Sequence, residues 1–299
     1  VIVTPDRAHR PFQDPTRECP FCPGQEETGD GWDVLTLDNR FAALSTEPGL
    51  LPMREGYVME TPAYGACKVI LLSPNHDEQI EDMSVEQVRR VFVEYVRLRQ
   101  ELASIEGVRY VFTFENRGRA IGVSLDHPHA QAYALPFVPP RIERELAQFR
   151  RVWKQEQKCL LCQTVENELK SGERVVTQNE EFVALVPFGA RLPYEVHVYP
   201  REHVISMADL CESIDGLGLI IQDVVRRYSR VFDETAYTMV FHDAPVNLND
   251  DIWHFHIEFY PPWRDRTRRK YLAGVETGGW LYTNDSLPEE KARELREAI

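Results

Sequence analysis

Apolar positions along the chain recur at two periods. Between residues 85 and 102, Val85, Val88, Val91, Phe92, Tyr95, Val96 and Leu98 fall three or four apart, which predicts an amphipathic helix with one buried face. Residues 217–231 predict a counterpart. Extended runs precede and follow each helix, at 67–72 and 108–114 in the first case and at 195–199 and 237–241 in the second. Further helices are expected over 141–157, opening Arg141-Ile142-Glu143-Arg144-Glu145, and over 288–298; between the latter and residue 263 the pattern predicts a basic loop and a short extended run. Alternating strands mixed with a few long helices predict an α+β fold.

The landmarks come twice in the same order. Cys19-Pro20-Phe21-Cys22 is followed by Phe41-Ala42-Ala43-Leu44, and Cys159-Leu160-Leu161-Cys162 by Phe182-Val183-Ala184-Leu185. A strand-like run then enters a turn with a proline and a histidine, Ser73-Pro74-Asn75-His76 or Tyr199-Pro200-Arg201-Glu202-His203. After the long helix comes a second extended run, a loop and a His-x-His strand: His127-Pro128-His129-Ala130-Gln131 in the first copy, His254-Phe255-His256-Ile257-Glu258 in the second. The chain therefore reads as a duplication, and division into residues 1–157 and 158–299 is expected, the second unit carrying an appended C-terminal tail. Two such halves would share one mostly antiparallel sheet with flanking helices, which protects the inner strand edges.

The 299 residues suffice for one large or two modest domains, and a hydrophobic fraction of 43% permits a sizeable core. A formal net charge of -14 disfavours nucleic acid and anionic membrane as partners. No apolar run approaches transmembrane length and no secretory segment opens the chain, so a cytoplasmic location is expected. Four of the six cysteines form the two Cys-x-x-Cys pairs, a spacing that serves metal or redox chemistry in a reducing compartment. Cys67 and Cys211 read as ordinary semi-buried residues, His9 and His197 as ordinary polar ones.

In each half, the cysteine pair, the turn histidine and the first histidine of the His-x-His strand recur together. Zinc favours four tetrahedral ligands, and a closed Cys2His2 set leaves no position for water, so the role is structural. Cys19, Cys22, His76 and His127 are the expected first zinc set; Cys159, Cys162, His203 and His254 are the second.

On a strand, alternate side chains share a face, so His127, His129 and Gln131 converge. The segment before them, residues 114–124, carries Asn116, Arg117, Gly118, Arg119, Gly122 and Ser124, a composition that can bring backbone N–H groups close to a phosphate. Together these point to a phosphate-handling site. In the second half, Glu258 replaces Gln131 and the preceding loop is acidic, which repels phosphate; that copy reads as degenerate.

The combination of Cys19-x-x-Cys22, His76, Asn116-Arg117-Gly118 through Gly122-x-Ser124 and His127-Pro128-His129-Ala130-Gln131 resembles the galactose-1-phosphate uridylyltransferase family, the transferase branch of the histidine triad superfamily. The resemblance runs from Pro5-Asp6-Arg7-Ala8-His9-Arg10-Pro11 to Lys270-Tyr271-Leu272-Ala273-Gly274-Val275-Glu276. It implies tandem histidine-triad-like halves and a ping-pong transfer of UMP from UDP-glucose to galactose 1-phosphate or a related hexose 1-phosphate. His129 would carry the nucleotide as a covalent nucleotidyl-histidine. Gln131, where hydrolase members carry histidine, would hold phosphate oxygens without acting as an acid. It further implies Asn39, Asn116, Gly122 and Ser124 as nucleotide contacts, Arg7 and Arg10 as phosphate-binding cations, Lys270 and Glu276 as sugar-side contacts, and a homodimer in which some groups are lent across the interface. The family also has a second metal site of another kind, matched here by Glu145, His242, His254 and His256; His254 cannot serve both. Val275, Arg40 and the stretch 278–284 depart from the family pattern and bear on which sugar and base are used. Rival readings are a nucleotide-sugar phosphorylase such as an ADP-glucose phosphorylase, and a non-catalytic zinc-organised nucleotide-binding module.

Overall fold

The structure is a computed structural model that describes residues 1–4, 18–25, 27–49, 61–248 and 250–299. Arg7 and Arg10 lie outside them. Among the described residues nine strands form one sheet: β1 (Leu35–Asp38), β2 (Ala66–Leu71), β3 (Tyr110–Arg117), β4 (His129–Leu135), β5 (Val175–Gln178), β6 (Phe182–Leu185), β7 (Val196–Pro200), β8 (Tyr237–His242) and β9 (His256–Tyr260). Their order is β1-β2-β4-β3-β8-β9-β7-β6-β5 and every ladder is antiparallel. Outward from the β3–β8 pair, the succession β3, β4, β2, β1 is repeated as β8, β9, β7, β6, with β5 added. The two halves of the duplication thus meet strand to strand, Asn116 opposite Thr238 and Phe114 opposite Val240.

Among the described residues there are six α-helices: α1 (Val85–Ala103), α2 (Pro140–Glu156), α3 (Leu160–Ser171), α4 (Ile214–Val231), α5 (Gly274–Gly279) and α6 (Pro288–Glu297). The periodic residues Val88, Val91, Phe92, Tyr95 and Leu98 of α1 are buried with Ile220, Ile221, Val224 and Val225 of α4 in one core. This layer packs on the sheet face formed by Ile70, Ala130, Ala132, Ala134, Met239, Phe241, Ile257 and Phe259. Strand alternation leaves the opposite face to Cys67, Tyr110, Phe112 and Tyr133, over which α2 lays Ile142, Leu146 and Phe149. Ser84 caps α1 by accepting the Gln87 N–H, and the Gln87 amide in turn donates to the carbonyls of Asp33 and Leu72 at 2.8 and 2.6 Å.

Three details differ from the sequence expectation. Phe41 to Leu44 does not correspond to Phe182–Leu185: the strand equivalent to β6 is Leu35–Asp38, because Leu37 and Leu185 face the matching positions Val69 and His197 of β2 and β7. Residues 160–171 form a helix that opens at Cys159, its polar faces having hidden the period. Residues 274–279 are a short helix rather than extended, with Glu276 accepting the Ala273 N–H.

Candidate active site and metal clusters

β4 begins at His129, and its alternation turns His129, Gln131 and Tyr133 to the α2 side while the three alanines between and after them pack under α1. The imidazole of His129 is held by its own strand: Nδ1 donates to the carbonyl of His127 at 2.8 Å. A carbonyl can only accept, so the proton sits on Nδ1 and the lone pair on Nε2. That is the tautomer a nucleophile requires. Phe21 meets the ring edge-on with centroids 5.4 Å apart and also touches His127 at 6.2 Å, so the Cys-Pro-Phe-Cys turn packs directly on the reactive strand.

Gln131 is oriented by Asn39, whose Nδ2 donates to Oε1 at 3.4 Å. With its oxygen taken, the carboxamide of Gln131 presents N–H groups. The β3–β4 ladder pairs Glu115 with Ala130, which sets Asn116 level with His129 and leaves residues 118–128 as the connection at that end of the sheet. Gly118 and Gly122 both have positive φ, at 88° and 82°. A Cβ on Gly118 would stand 2.6 Å from Cβ of Ala236, so the loop leans on the second half at a point where only glycine fits. Arg117 is engaged by Glu81 at 2.5 and 2.7 Å, which turns it from a phosphate ligand into a loop anchor.

Beside this lies the first cluster. The donor atoms of Cys19, Cys22, His76 and His127 all lie within 4.8 Å of one another. Nδ1 of His76 and of His127 stand 3.5 and 3.8 Å from the Cys22 sulfur. His127 spends its other nitrogen on the carbonyl of Ser73 at 2.8 Å, the outer contact that fixes a ligating imidazole. Burial lowers the His127 pKa to about 4, keeping the ring neutral as a ligand must be. Burial also pushes the Cys19 thiol up to about 11, so a thiolate there requires a cation beside it.

The second cluster repeats the design with Cys159, Cys162, His203 and His254, again within 4.8 Å. Cys162 is 3.2 Å from Nδ1 of His203 and 3.3 Å from Nδ1 of His254. The far nitrogens are held by Asp251 at 3.0 Å and by the carbonyl of Pro200 at 3.1 Å. Both donor sets fit a tetrahedral metal ion in ligand type, proximity and outer contacts.

His254 is thereby committed to the thiols, and the set Glu145, His242, His254 and His256 does not assemble. Glu145, His242 and His256 do meet, with Glu258 as the fourth member. His242 bridges the carboxylates, 2.8 Å to Glu145 and 3.3 Å to Glu258, and Arg141 reaches Glu258 at 2.5 Å. Burial opposes the charge on Glu258, yet His197, His242 and Arg141 together hold its carboxyl well below the ordinary range. His197 is therefore no ordinary polar residue: it lies 2.8 Å from Glu195 and 3.3 Å from Glu258. His256, the counterpart of His129, is sealed in this network at 3% exposure. Glu258 follows His256 by two and shares its strand face, while its other partners come from elements distant in sequence.

Lys270 and Glu276 hold each other at 3.2 Å, and Lys270 also donates to the carbonyl of Thr283 at 2.8 Å, so their contacts lie within the C-terminal segment. Among the described residues no helix is long and apolar enough to cross a membrane.

A duplicated antiparallel sheet, with one imidazole presented from a strand end beside a cysteine–histidine cluster and a glycine loop, defines a protein of the nucleotidyl-transfer type. The chain belongs to the galactose-1-phosphate uridyl transferase family, whose N-terminal domain model matches residues 3–139 and whose C-terminal domain model matches residues 145–299. It is 39% identical over 302 residues to the galactose-1-phosphate uridylyltransferase of Thermotoga maritima, covering 99% of this chain and 94% of that protein. A solved uridylyltransferase structure superposes with a TM-score of 0.91 at 34% identity, covering 100% of this chain and 94% of that one. An ADP-glucose phosphorylase from Arabidopsis thaliana, solved with bound ADP-glucose, superposes with a TM-score of 0.81 at 25% identity, covering 98% and 93%.

Proposed function

We propose that this chain moves UMP from UDP-glucose to a hexose 1-phosphate, galactose 1-phosphate in the first instance, through a nucleotidyl group carried on His129. The observation that carries this reading is the Nδ1–His127 carbonyl bond of 2.8 Å, which leaves the lone pair on Nε2. Nε2 attacks the α-phosphorus; the N–P bond forms as the P–O bond to the β-phosphate breaks, and glucose 1-phosphate departs with that oxygen. The acceptor's phosphate oxygen then attacks the same phosphorus and the N–P bond breaks. Splitting one displacement into two is the gain of covalent catalysis, and positioning around the phosphate supplies most of the rest. Gln131, oriented by Asn39, donates to a phosphate oxygen; Asn116, Ser124 and the backbone at Gly122 line the same side. A glutamine can neither protonate a leaving group nor take the proton of an attacking water, which suits an intermediate that waits for a sugar phosphate.

Each Cys2His2 set would hold a zinc ion. The ion would pin the Cys19–Cys22 turn and the His76 turn to the strand that carries His129, and the second would do the same in the other half. Arg7, Arg10, Lys270 and Glu276 complete the substrate site in a homodimer, the C-terminal pair serving the neighbouring subunit. The test is incubation with UDP-glucose labelled in the α-phosphate, and in parallel with ADP-glucose labelled likewise. Label should stay on the wild-type protein from UDP-glucose, be absent from His129→Ala, and be discharged by galactose 1-phosphate. Retention from ADP-glucose with discharge by orthophosphate would instead make the chain a phosphorylase, and equal labelling of His129→Ala would remove the mechanism.

A further inference from the structure

We infer that the second half of the duplication serves the reaction as a strap that sets the phosphate-side groups of the first, with Thr238 and Glu234 as positioning residues; this rests on the reading of His129 above. The hydroxyl of Thr238, on β8, donates to Oδ1 of Asn116 across the seam at 2.9 Å. With Oδ1 engaged as acceptor, the amide of Asn116 can turn only its Nδ2–H groups outward, toward the level of His129. Without the hydroxyl, the two ends of the carboxamide become near-equivalent, and half of the orientations would aim an oxygen lone pair at a phosphate oxygen.

Four residues earlier, Oε1 of Glu234 accepts the N–H of Ala120 at 3.0 Å, inside the short 3-10 turn Arg119–Ile121. Between these two contacts, Gly118 rests against Ala236 and the carbonyl of Thr235, where an added Cβ would come within 2.6 to 2.9 Å. One short segment, residues 234–238, therefore grips the end of β3 and the loop beyond it at three successive points. All three partners are in the first half, and all sit between Asn116 and Ala120. The first half holds the matching loop of the second in turn, the carbonyl of Arg109 accepting the Val246 N–H at 2.9 Å and Arg99 donating to Asp243 at 3.0 Å, but there the position matching Asn116 is His242, bound to Glu145 at 2.8 Å and turned to no phosphate-side group. The copy whose matching histidine, His256, is buried thus has a task in the copy that presents His129.

Single-turnover labelling with α-phosphate-labelled UDP-glucose separates this from a merely structural contact. Thr238→Val keeps size and branching but removes the donor; Thr238→Ser restores the donor. The expected result is a saturating nucleotidylation rate about tenfold lower in Thr238→Val, the effect of one lost orienting hydrogen bond, with half-saturation changed by less than about threefold. Thr238→Ser should recover most of the rate, and Glu234→Ala should lower it by a comparable factor with an unchanged melting temperature. Wild type that labels while Thr238→Val labels equally fast overturns the inference and spares the mechanism. Thr238→Ser as slow as Thr238→Val also overturns it, because bulk and not the hydroxyl would then matter. Wild type that takes no label removes the mechanism, and the inference with it.

Discussion

Glu115 is a carboxyl placed where none should ionise easily. It lies on β3 between Phe114 and Asn116, on the face that packs under α1, and is 4% exposed. Burial raises its pKa to about 7; the hydrogen bond from Tyr237 and the charge of Arg117 pull the other way, and Glu81 adds to the rise. One oxygen accepts the Tyr237 hydroxyl at 2.8 Å, and the other has no partner among the described residues. An unfolded glutamate titrates near 4.5, the ordinary value. Above that pH the unfolded chain releases the proton while the folded chain still holds it, so the native state binds more protons and stability falls as pH rises. The penalty is small below pH 4.5, grows through the interval up to about 7, and is complete above it. A separation of about 2.5 pH units corresponds to about 3 kcal/mol. Glu115→Gln keeps an oxygen for Tyr237 and removes the ionisation. Urea unfolding of both proteins at pH 5 and pH 8 isolates the contribution, since all other carboxylates cancel in the difference. The variant should gain about 2.5 kcal/mol relative to wild type between the two conditions. A difference that does not change with pH would refute the reasoning, by showing the carboxylate to be solvated or charge-paired when folded.

Gln222, 1% exposed on α4, donates to the carbonyls of Ile80 and Met83 at 2.8 and 2.9 Å, tying the helix to the segment that follows His76. Gln222→Leu orphans both carbonyls and should cost about 2–3 kcal/mol, read as a lower denaturation midpoint at unchanged slope. Gly65 has φ 141° and would place a Cβ 2.1 Å from the Ala134 carbonyl oxygen, so Gly65→Ala should destabilise by about 3 kcal/mol or more and recover poorly in soluble form. Removing metal with a strong chelator should lower the melting temperature by about 10 °C or more and increase proteolysis near Cys19–Cys22, because ligand binding is coupled to local folding; a melting curve that ignores the chelator would rule out both sites.

The duplication, the long helices and both cysteine–histidine sets were legible because they depend on spacing and period, which a chain displays directly. Where two segments align in space is a different matter. Phe41 to Leu44 looks like Phe182–Leu185 in composition, yet register is set by cross-strand pairing, and Leu35–Asp38 answers to β6 instead. Two donor sets claimed His254; the presence of both cysteines and the turn histidine favoured the Cys159 set from the sequence, and the turn of its Nδ1 toward Cys162 agrees. Glu258 was legible as a replacement of Gln131 but not as a cluster member, because Arg141 and His197 reach it from elements far away in sequence. The grip of residues 234–238 on the glycine loop has no motif at all. It follows from a seam between strands 122 residues apart, as in the Thr238–Asn116 contact.

A sheet that continues unbroken across β3 and β8, with the same strand succession on either side, is the arrangement two identical chains would make by joining edges as equals. Once such a pair is encoded on one polypeptide, mutation no longer strikes both pockets together. One pocket can be kept for chemistry while its twin accumulates carboxylates and imidazoles that bind to each other. The asymmetry between the halves records that freedom: His129 opens its strand at a glycine loop, whereas His256 lies buried among Glu145, His242 and Glu258.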